Sequence, residues 1–377
     1  MSREACDLLV VGGGIVGAAC ALEAVRAGLS VCLCESGVVG GGATAAGMGH
    51  LVVMDDSEAQ FSLTRRSLAL WHQLAHYLPE AAEYHRSGTI WVAADELEME
   101  EVWRKRDYFT QSEVRVEVLD SKQLAEAEPR LRPGLVGALL VLDDAVVYSP
   151  VVARYLIDQA VELGVVLLEG VSVRKILTDG VILDGGEKLS AGSVVNATGC
   201  HAPVLTPGIP VQKRKGHLLI TDRYPGFVNH QLIELGYLKS AHTMRADSVA
   251  FNVQPRRTGQ ILIGSSRQFG ALDSAVDLDT LDSMLTRAIC YMPDLARLTA
   301  IRTWTGFRAA TPDSLPLIGP VEGDFGRHWL ATGHEGLGIT TSLITAELLI
   351  DQIVGRTPQT SWAPYLPTRS IGEVHPG

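Results

Sequence analysis

Leu8-Leu9-Val10-Val11-Gly12-Gly13-Gly14-Ile15-Val16-Gly17 is an apolar run that breaks into a glycine turn. The run has the character of a parallel strand buried on both faces. Ile15 to Ala27 then reads as an alanine-rich helix, and Gly28 stands where a helix C-cap glycine belongs. Leu29 to Cys34 makes a second strand, ended by Glu35. Strand, turn, helix and strand form a βαβ unit. In Gly12-x-Gly14-x-x-Gly17 the first glycine permits the turn and the second lets backbone approach a pyrophosphate. The third lets the helix pack on the sheet. Phosphate would rest on the free N–H groups of the helix start. Glu35, 18 residues after Gly17, would take ribose hydroxyls. A bare glycine pattern can also be no more than a tight turn. With strand, helix and carboxylate in register, it reads as a dinucleotide site, and it fits FAD and NAD alike.

Further segments carry the same signature at a distance. In a simple nicotinamide dehydrogenase the binding domain is one contiguous block. Here Gly40-Gly41-Gly42-Ala43-Thr44-Ala45-Ala46-Gly47-Met48 is a small-residue stretch against which a large flat cofactor could lie. Val194-Val195-Asn196-Ala197-Thr198-Gly199 is a strand ending in a turn, as though the chain re-entered the same sheet. Thr332-Gly333-His334-Glu335-Gly336-Leu337-Gly338 precedes the final helix and offers a second helix start to an electron-rich group.

Composition narrows the class. The chain has 377 residues, 46% of them hydrophobic and 20% charged, enough for a large core and for two domains or one large domain with an insertion. A net charge of −11 argues against nucleic acid as a main partner, since phosphate binding needs concentrated Lys and Arg. Six scattered cysteines without a C-x-x-C pair argue against a disulfide framework or a zinc site. Cys32 and Cys34, flanking Leu33 on the second strand, read as small apolar residues of a protein in a reducing compartment. The first residues lack the cationic region and cleavage site of a signal peptide. The uncharged stretch Leu8 to Leu22 is too short and glycine-rich to span a bilayer, so no transmembrane segment and a cytoplasmic location are expected.

Helices are expected at 58–78, 96–111, from Ser149 to Leu163, at 277–291 and at about 338–354, the last closed by Gly355 and Pro358. Strands are expected at Val165–Leu168, Val171–Ile176 and Val194–Ala197. From Leu218 to Arg308 the chain is strand-rich, with a hairpin around Arg256-Arg257-Thr258-Gly259. No Ser-His-Asp or H-E-x-x-H pattern appears, which removes hydrolase and metalloprotease readings, and no metal site is expected.

The glycine loop, the small-residue stretch, the Asn-Ala-Thr-Gly turn and the loop before the last helix together resemble the D-amino acid oxidase-like (DAO) family of FAD-dependent oxidoreductases, over nearly the full length. Thr303-Trp304-Thr305-Gly306-Phe307-Arg308 and the continuation Asp313 to Gly319 match the family's G-[LF]-R and D-x-x-P-x-I-G segments. Ala46-Gly47-Met48 is similar to the flavin-flanking loop of glycine oxidases. Within the family the chain looks most like the flavin subunits of D-hydroxyproline, proline and opine dehydrogenases.

The resemblance implies an α/β fold: a discontinuous, Rossmann-like FAD-binding domain (1–78, 145–215 and 315–377) and a β-rich substrate domain of antiparallel sheet plus helices (79–144 and 216–314). The cofactor set it implies begins with Gly12, Gly14, Ile15, Val16, Gly17, Glu35 and Ser36, and continues with Ala43, Thr44, Gly47, Met48 and Val173. Thr198, Gly199, Gly333, Gly336, Leu337, Gly338, Ile339 and Thr340 complete it. No cysteine lies in a covalent attachment motif, so FAD is expected to be noncovalent.

The implied reaction oxidises the C–N bond of a small amino or imino acid by hydride transfer to flavin. A D-hydroxyproline- or proline-type dehydrogenase leads. A glycine or sarcosine oxidase, an opine oxidase subunit, or a non-catalytic FAD electron-transfer subunit are the alternatives. Arg308 is the expected carboxylate anchor, because its planar fork binds both oxygens. Tyr237 and His334 are the other expected catalytic residues; Met48, His50, Tyr237 and Glu335 are expected to face substrate. His334 could bond flavin or titrate near neutral pH, or could instead serve the helix start. A hetero-oligomer with other dehydrogenase subunits is a further implication, and any iron–sulfur cluster would belong to such a partner.

Overall fold

The computed structural model describes residues 5–236, 247–323 and 327–370. The chain divides into two units: Met1–Ala82, Tyr148–Lys213 and Phe307–Gly377 in the first, Glu83–Val147 and Arg214–Gly306 in the second. The final division falls at Gly306/Phe307, where the sequence places the boundary at 314/315. The strand Ala300–Ala310 runs unbroken through it, and its end is bridged to Glu335 of the first unit, which takes Arg308 with it.

In the first unit the strand order is Leu317–Pro320, His328–Thr332, Lys188–Asn196, Cys6–Val11, Val31–Glu35, Val166–Glu169. All neighbours are parallel except the first pair. Leu8, Leu9, Val10 and Val11 are buried because they lie mid-sheet between Val194, Val195 and Cys32, Leu33. Each such side chain contributes roughly 1.5–3 kcal/mol relative to exposure. The helix Ile15–Arg26 is small-sided (Ala18, Ala19, Ala21, Ala24), which lets the helices Ser149–Glu162 and Ser342–Val354 pack against it. The helix expected at 58–78 is Glu58–Leu74, capped by Ser57 Oγ accepting from the Gln60 N–H. It ends at Leu74, with the C-cap Ala75 N–H donating to Trp71 O. The last helix starts at Ser342 rather than 338, because Gly338 to Thr341 form turns; it ends at Gly355 in the left-handed region, φ 72°.

In the second unit the sheet order is Ala300–Ala310, Gln212–Thr221, Ile261–Arg267, Ser248–Pro255, Gln231–Glu234, Thr89–Ala93, Gly137–Val141, Val116–Asp120. The expected hairpin is present, with the Arg256 N–H donating to Gln260 O and the Gly259 N–H to Arg256 O. Gln231–Glu234 pairs parallel with Thr89–Ala93. Ile90, Val92, Leu232, Val253 and Ile263 bury one face together with Met284 and Ala288 of the helix Leu278–Tyr291. Phe251 stacks on Tyr291 at 4.5 Å between centroids.

All six cysteines are free, and Cys32 and Cys34 are buried on their strand. Among the described residues no helix is long and apolar enough to cross a membrane, and no cluster of His, Cys, Asp and Glu could hold a metal ion.

Candidate functional site

The glycine loop is built by backbone approach. Gly12 has φ +106°, and a Cβ there would meet Ala197 O at 2.7 Å. A Cβ on Gly17 would lie 1.9 Å from Gly12 O, so only glycine lets the helix sit this close to the turn. Gly14 is the N-cap and supplies no side-chain cap. The Ile15 N–H instead donates to Thr44 Oγ1 at 3.0 Å, while the half-exposed Val16 continues the first turn. First-turn amides have no partners inside their own helix.

At the strand end Glu35 Oε2 accepts from the Gly13 N–H at 2.6 Å, and Oε1 accepts from the Gly37 N–H at 2.7 Å. A carboxylate offers about four acceptor sites, so capacity remains for ribose hydroxyls. Ser36 is exposed beside it. Val173 begins the strand Val173–Leu177, two residues beyond Val171, whose N–H donates to Glu35 O at 2.9 Å.

The small-residue stretch and the loop before the last helix meet. A Cβ on Gly47 would lie 2.8 Å from Ile339 Cδ1, and Thr340 Oγ1 donates to His50 O at 2.8 Å. Thr340 O in turn accepts from Ser67 Oγ and Trp71 Nε1. Ala43 is exposed and Met48 half-buried. In the last loop Gly333 has φ +78°, with Thr311 Cγ2 2.7 Å from where its Cβ would be. The Leu337 N–H donates to His334 O, and Gly338 lies over the His334 side chain. Thr198 and Gly199 form the turn facing Gly12, and Thr332 Oγ1 donates to Gly199 O at 2.9 Å.

Arg308 is half-buried, its Nε 3.6 Å from where a Cβ on Gly336 would be. The next residue carries the bridge: the Glu335 N–H donates to Ala309 O at 2.9 Å, and Glu335 holds φ 50°. Arg308 and the loop 333–338 are thus one local constellation, with His50 tied to it through Thr340. Tyr237 lies outside the described residues.

For His334 the sequence leaves two readings, a ring that bonds flavin or titrates and one that serves the helix start. The side chain is buried, and its Nε2 lies 3.0 Å from Thr345 Oγ1 on the last helix. Burial pushes its pKa down to about 4, so the ring is neutral near pH 7 and does not titrate there.

Two supporting residues were not singled out from sequence. Ser149 Oγ donates to Thr44 O at 2.8 Å, and Glu169 Oε1 accepts from the Val39 N–H at 2.8 Å. Glu169 pairs with Glu35 across adjacent strands, and a second strand-ending Glu was its available signal.

These residues fit a dinucleotide. The helix start has no cap from its own N-cap residue, and the strand-ending carboxylate keeps acceptor capacity. Nothing lies within 4 Å of a Cβ placed on Gly42 or Gly199, which leaves room beside both turns.

Residues 7–352 match the family profile described as DAO, FAD dependent oxidoreductase. The chain is 28% identical to the hydrogen cyanide synthase subunit HcnC of Pseudomonas aeruginosa, over 96% of both chains. It is 28% identical to glycine oxidase of Geobacillus kaustophilus, over 98% of both. The crystal structure of that glycine oxidase superposes with a TM-score of 0.87, covering 98% of this chain and 100% of the other. L-proline dehydrogenase from P. horikoshii reaches the same TM-score at 23% identity, over 98% of both, a likeness of fold.

Proposed function

Because the chain belongs to the DAO family of FAD-dependent oxidoreductases, we propose that it oxidises the C–N bond of a small amino acid of the glycine or sarcosine type. The bound flavin supplies the two-electron acceptor. Arg308 would bind the substrate carboxylate through its fork and so orient Cα for hydride transfer. In that arrangement the Cα hydrogen would leave with its bonding pair as hydride to the flavin, the lone pair of the neutral amine would form the C=N bond, and a proton would pass from nitrogen to solvent water. His334, its Nε2 engaged by Thr345 Oγ1 and its basicity lowered by burial, is poorly placed to take that proton.

The observation that carries this reading is Arg308 held against the loop 333–338 by the Ala309–Glu335 bridge. Similarity to glycine oxidase over 98% of both chains favours the glycine type over the D-hydroxyproline or proline dehydrogenase type that leads from sequence. FAD held noncovalently and a cytoplasmic location belong to the same proposal. The test is anaerobic mixing of the yellow protein with glycine, sarcosine, L- and D-proline and D-hydroxyproline. Bleaching is expected with glycine or sarcosine, and recovery of colour on admitting oxygen marks an oxidase. Bleaching by the cyclic substrates alone would overturn the substrate class.

A second reading, a flavin subunit working in a hetero-oligomer, is favoured by similarity to a protein named as a synthase subunit. Copurification from the native host of a homomer with full turnover would eliminate it.

A further inference from the structure

The strand Lys188–Asn196 ends in a side chain that the glycine fingerprint does not include. Asn196 is fully buried, and both ends of its amide are engaged. Nδ2 donates to Ala202 O at 3.0 Å and to Thr206 Oγ1 at 2.8 Å. Oδ1 accepts from Thr198 Oγ1 at 2.7 Å and from the Thr198 N–H at 3.3 Å. The amide has only one satisfactory orientation. A carbonyl can only accept and a backbone N–H can only donate, so nitrogen must face Ala202 and oxygen must face Thr198.

That orientation has a chemical consequence at the turn. A threonine hydroxyl carries one proton, and here it is committed to Asn196 Oδ1. What Thr198 Oγ1 retains is acceptor lone pairs. A phosphate oxygen, itself an acceptor, gains nothing from them; a hydroxyl group does. The chain of contacts continues into the core: Thr206 Oγ1 accepts from Asn196 and lies 2.9 Å from His328 Nε2. Thr332 holds Gly199 O from the other side, and the glycine loop sits on Ala197.

We propose that Asn196 is a positioning residue that makes Thr198 an acceptor-only contact for a hydroxyl group of the dinucleotide, either on the ribityl chain or on the adenosine ribose. The inference rests on the FAD reading above and assigns this turn to sugar-type recognition, leaving phosphate to the helix start at Gly14–Gly17.

The test uses apoprotein titrated with FAD by flavin fluorescence and with ADP as competitor. Thr198→Val removes the oxygen and keeps the shape; it is expected to weaken the FAD Kd about three- to tenfold, with a lower apoprotein melting temperature because Asn196 Oδ1 loses its 2.7 Å donor, and affinity is therefore compared on protein shown to be folded. Thr198→Ser restores the hydroxyl and is expected to restore affinity. Asn196→Asp, which turns an acceptor toward Ala202 O, is expected to weaken FAD at least as much as Thr198→Val. A parallel loss for ADP assigns the hydroxyl to the ribose, and an unchanged ADP constant assigns it to the ribityl chain. Wild-type affinity in Thr198→Val, or no recovery in Thr198→Ser, overturns the proposal. Failure of the wild-type protein to bind FAD would instead overturn the cofactor reading on which it stands.

Discussion

The two units obey different rules. In the first, residue type is set by how closely backbone approaches backbone: Gly17 exists because its Cβ would overlap Gly12 O, and Gly12 because its Cβ would overlap Ala197 O. Constraints of that kind write themselves into a chain as fixed glycine spacings. In the second, residue type is set by which apolar faces meet across an eight-stranded sheet. Many hydrophobic residues satisfy such a constraint, provided that volume and alternation are kept. The glycine loop of the first unit should therefore be intolerant of a single added methyl, and the apolar sheet face of the second should respond in proportion to the volume removed.

The largest expected effect is at the fingerprint. Gly17→Val should abolish FAD binding outright, because the clash is with a carbonyl that anchors the turn, not with a side chain that can swing away. The ratio of flavin to protein absorbance after purification checks this, and a yellow variant would break the contrast. Phe251→Ala in the second unit should cost about 3–5 kcal/mol in urea unfolding, since it deletes a fully buried ring stacked on Tyr291. Folded Phe251→Ala should still carry FAD at the wild-type ratio. A cost under about 1 kcal/mol would mean that this core collapses around the cavity.

Arg308 comes next. Arg308→Ala should lower kcat/KM roughly 10- to 100-fold, the loss of a charge-assisted carboxylate contact, with FAD content unchanged. Arg308→Lys should recover only part, because a point charge does not reproduce the fork. Full efficiency in the alanine variant would remove Arg308 as the anchor.

Legibility in the sequence follows the same division. The βαβ opening, the hairpin at Arg256–Gly259 and the Gly355 cap rest on local backbone chemistry and are readable from neighbouring residues. The parallel pairing of Gln231–Glu234 with Thr89–Ala93 joins segments some 140 residues apart and leaves no local mark. Arg308 is recognisable within its motif, but its unit is not, because the strand Ala300–Ala310 crosses the division without a break. Asn196 is visible as part of a strand end, yet its role depends on Thr206 and His328, which approach only in the folded chain.

His334 is the sharpest case of a residue whose place in sequence misleads. It sits among cofactor-loop glycines, but an irregular loop has no period that fixes which way a side chain turns, and this one turns inward to Thr345. Its folded pKa of about 4 lies below the ordinary value of 6.5, so the neutral form is favoured on folding. The sign follows: its contribution is fully present above pH 6.5 and is lost as pH falls toward 4, where the folded protein must also protonate the ring. Between pH 7.5 and pH 5 the wild-type protein should lose about 2 kcal/mol relative to His334→Gln, which has no ring to titrate. Unfolding free energies of both proteins at the two pH values check this, and subtracting one from the other cancels the carboxylates they share. A catalytic His334 would give a different pattern: His334→Gln would abolish turnover at pH 7.5 in protein of wild-type FAD content. With the ring neutral and bonded inward, kcat at pH 7.5 is expected to change by less than about threefold, the scale of a small shift in loop position rather than of a lost acid–base group.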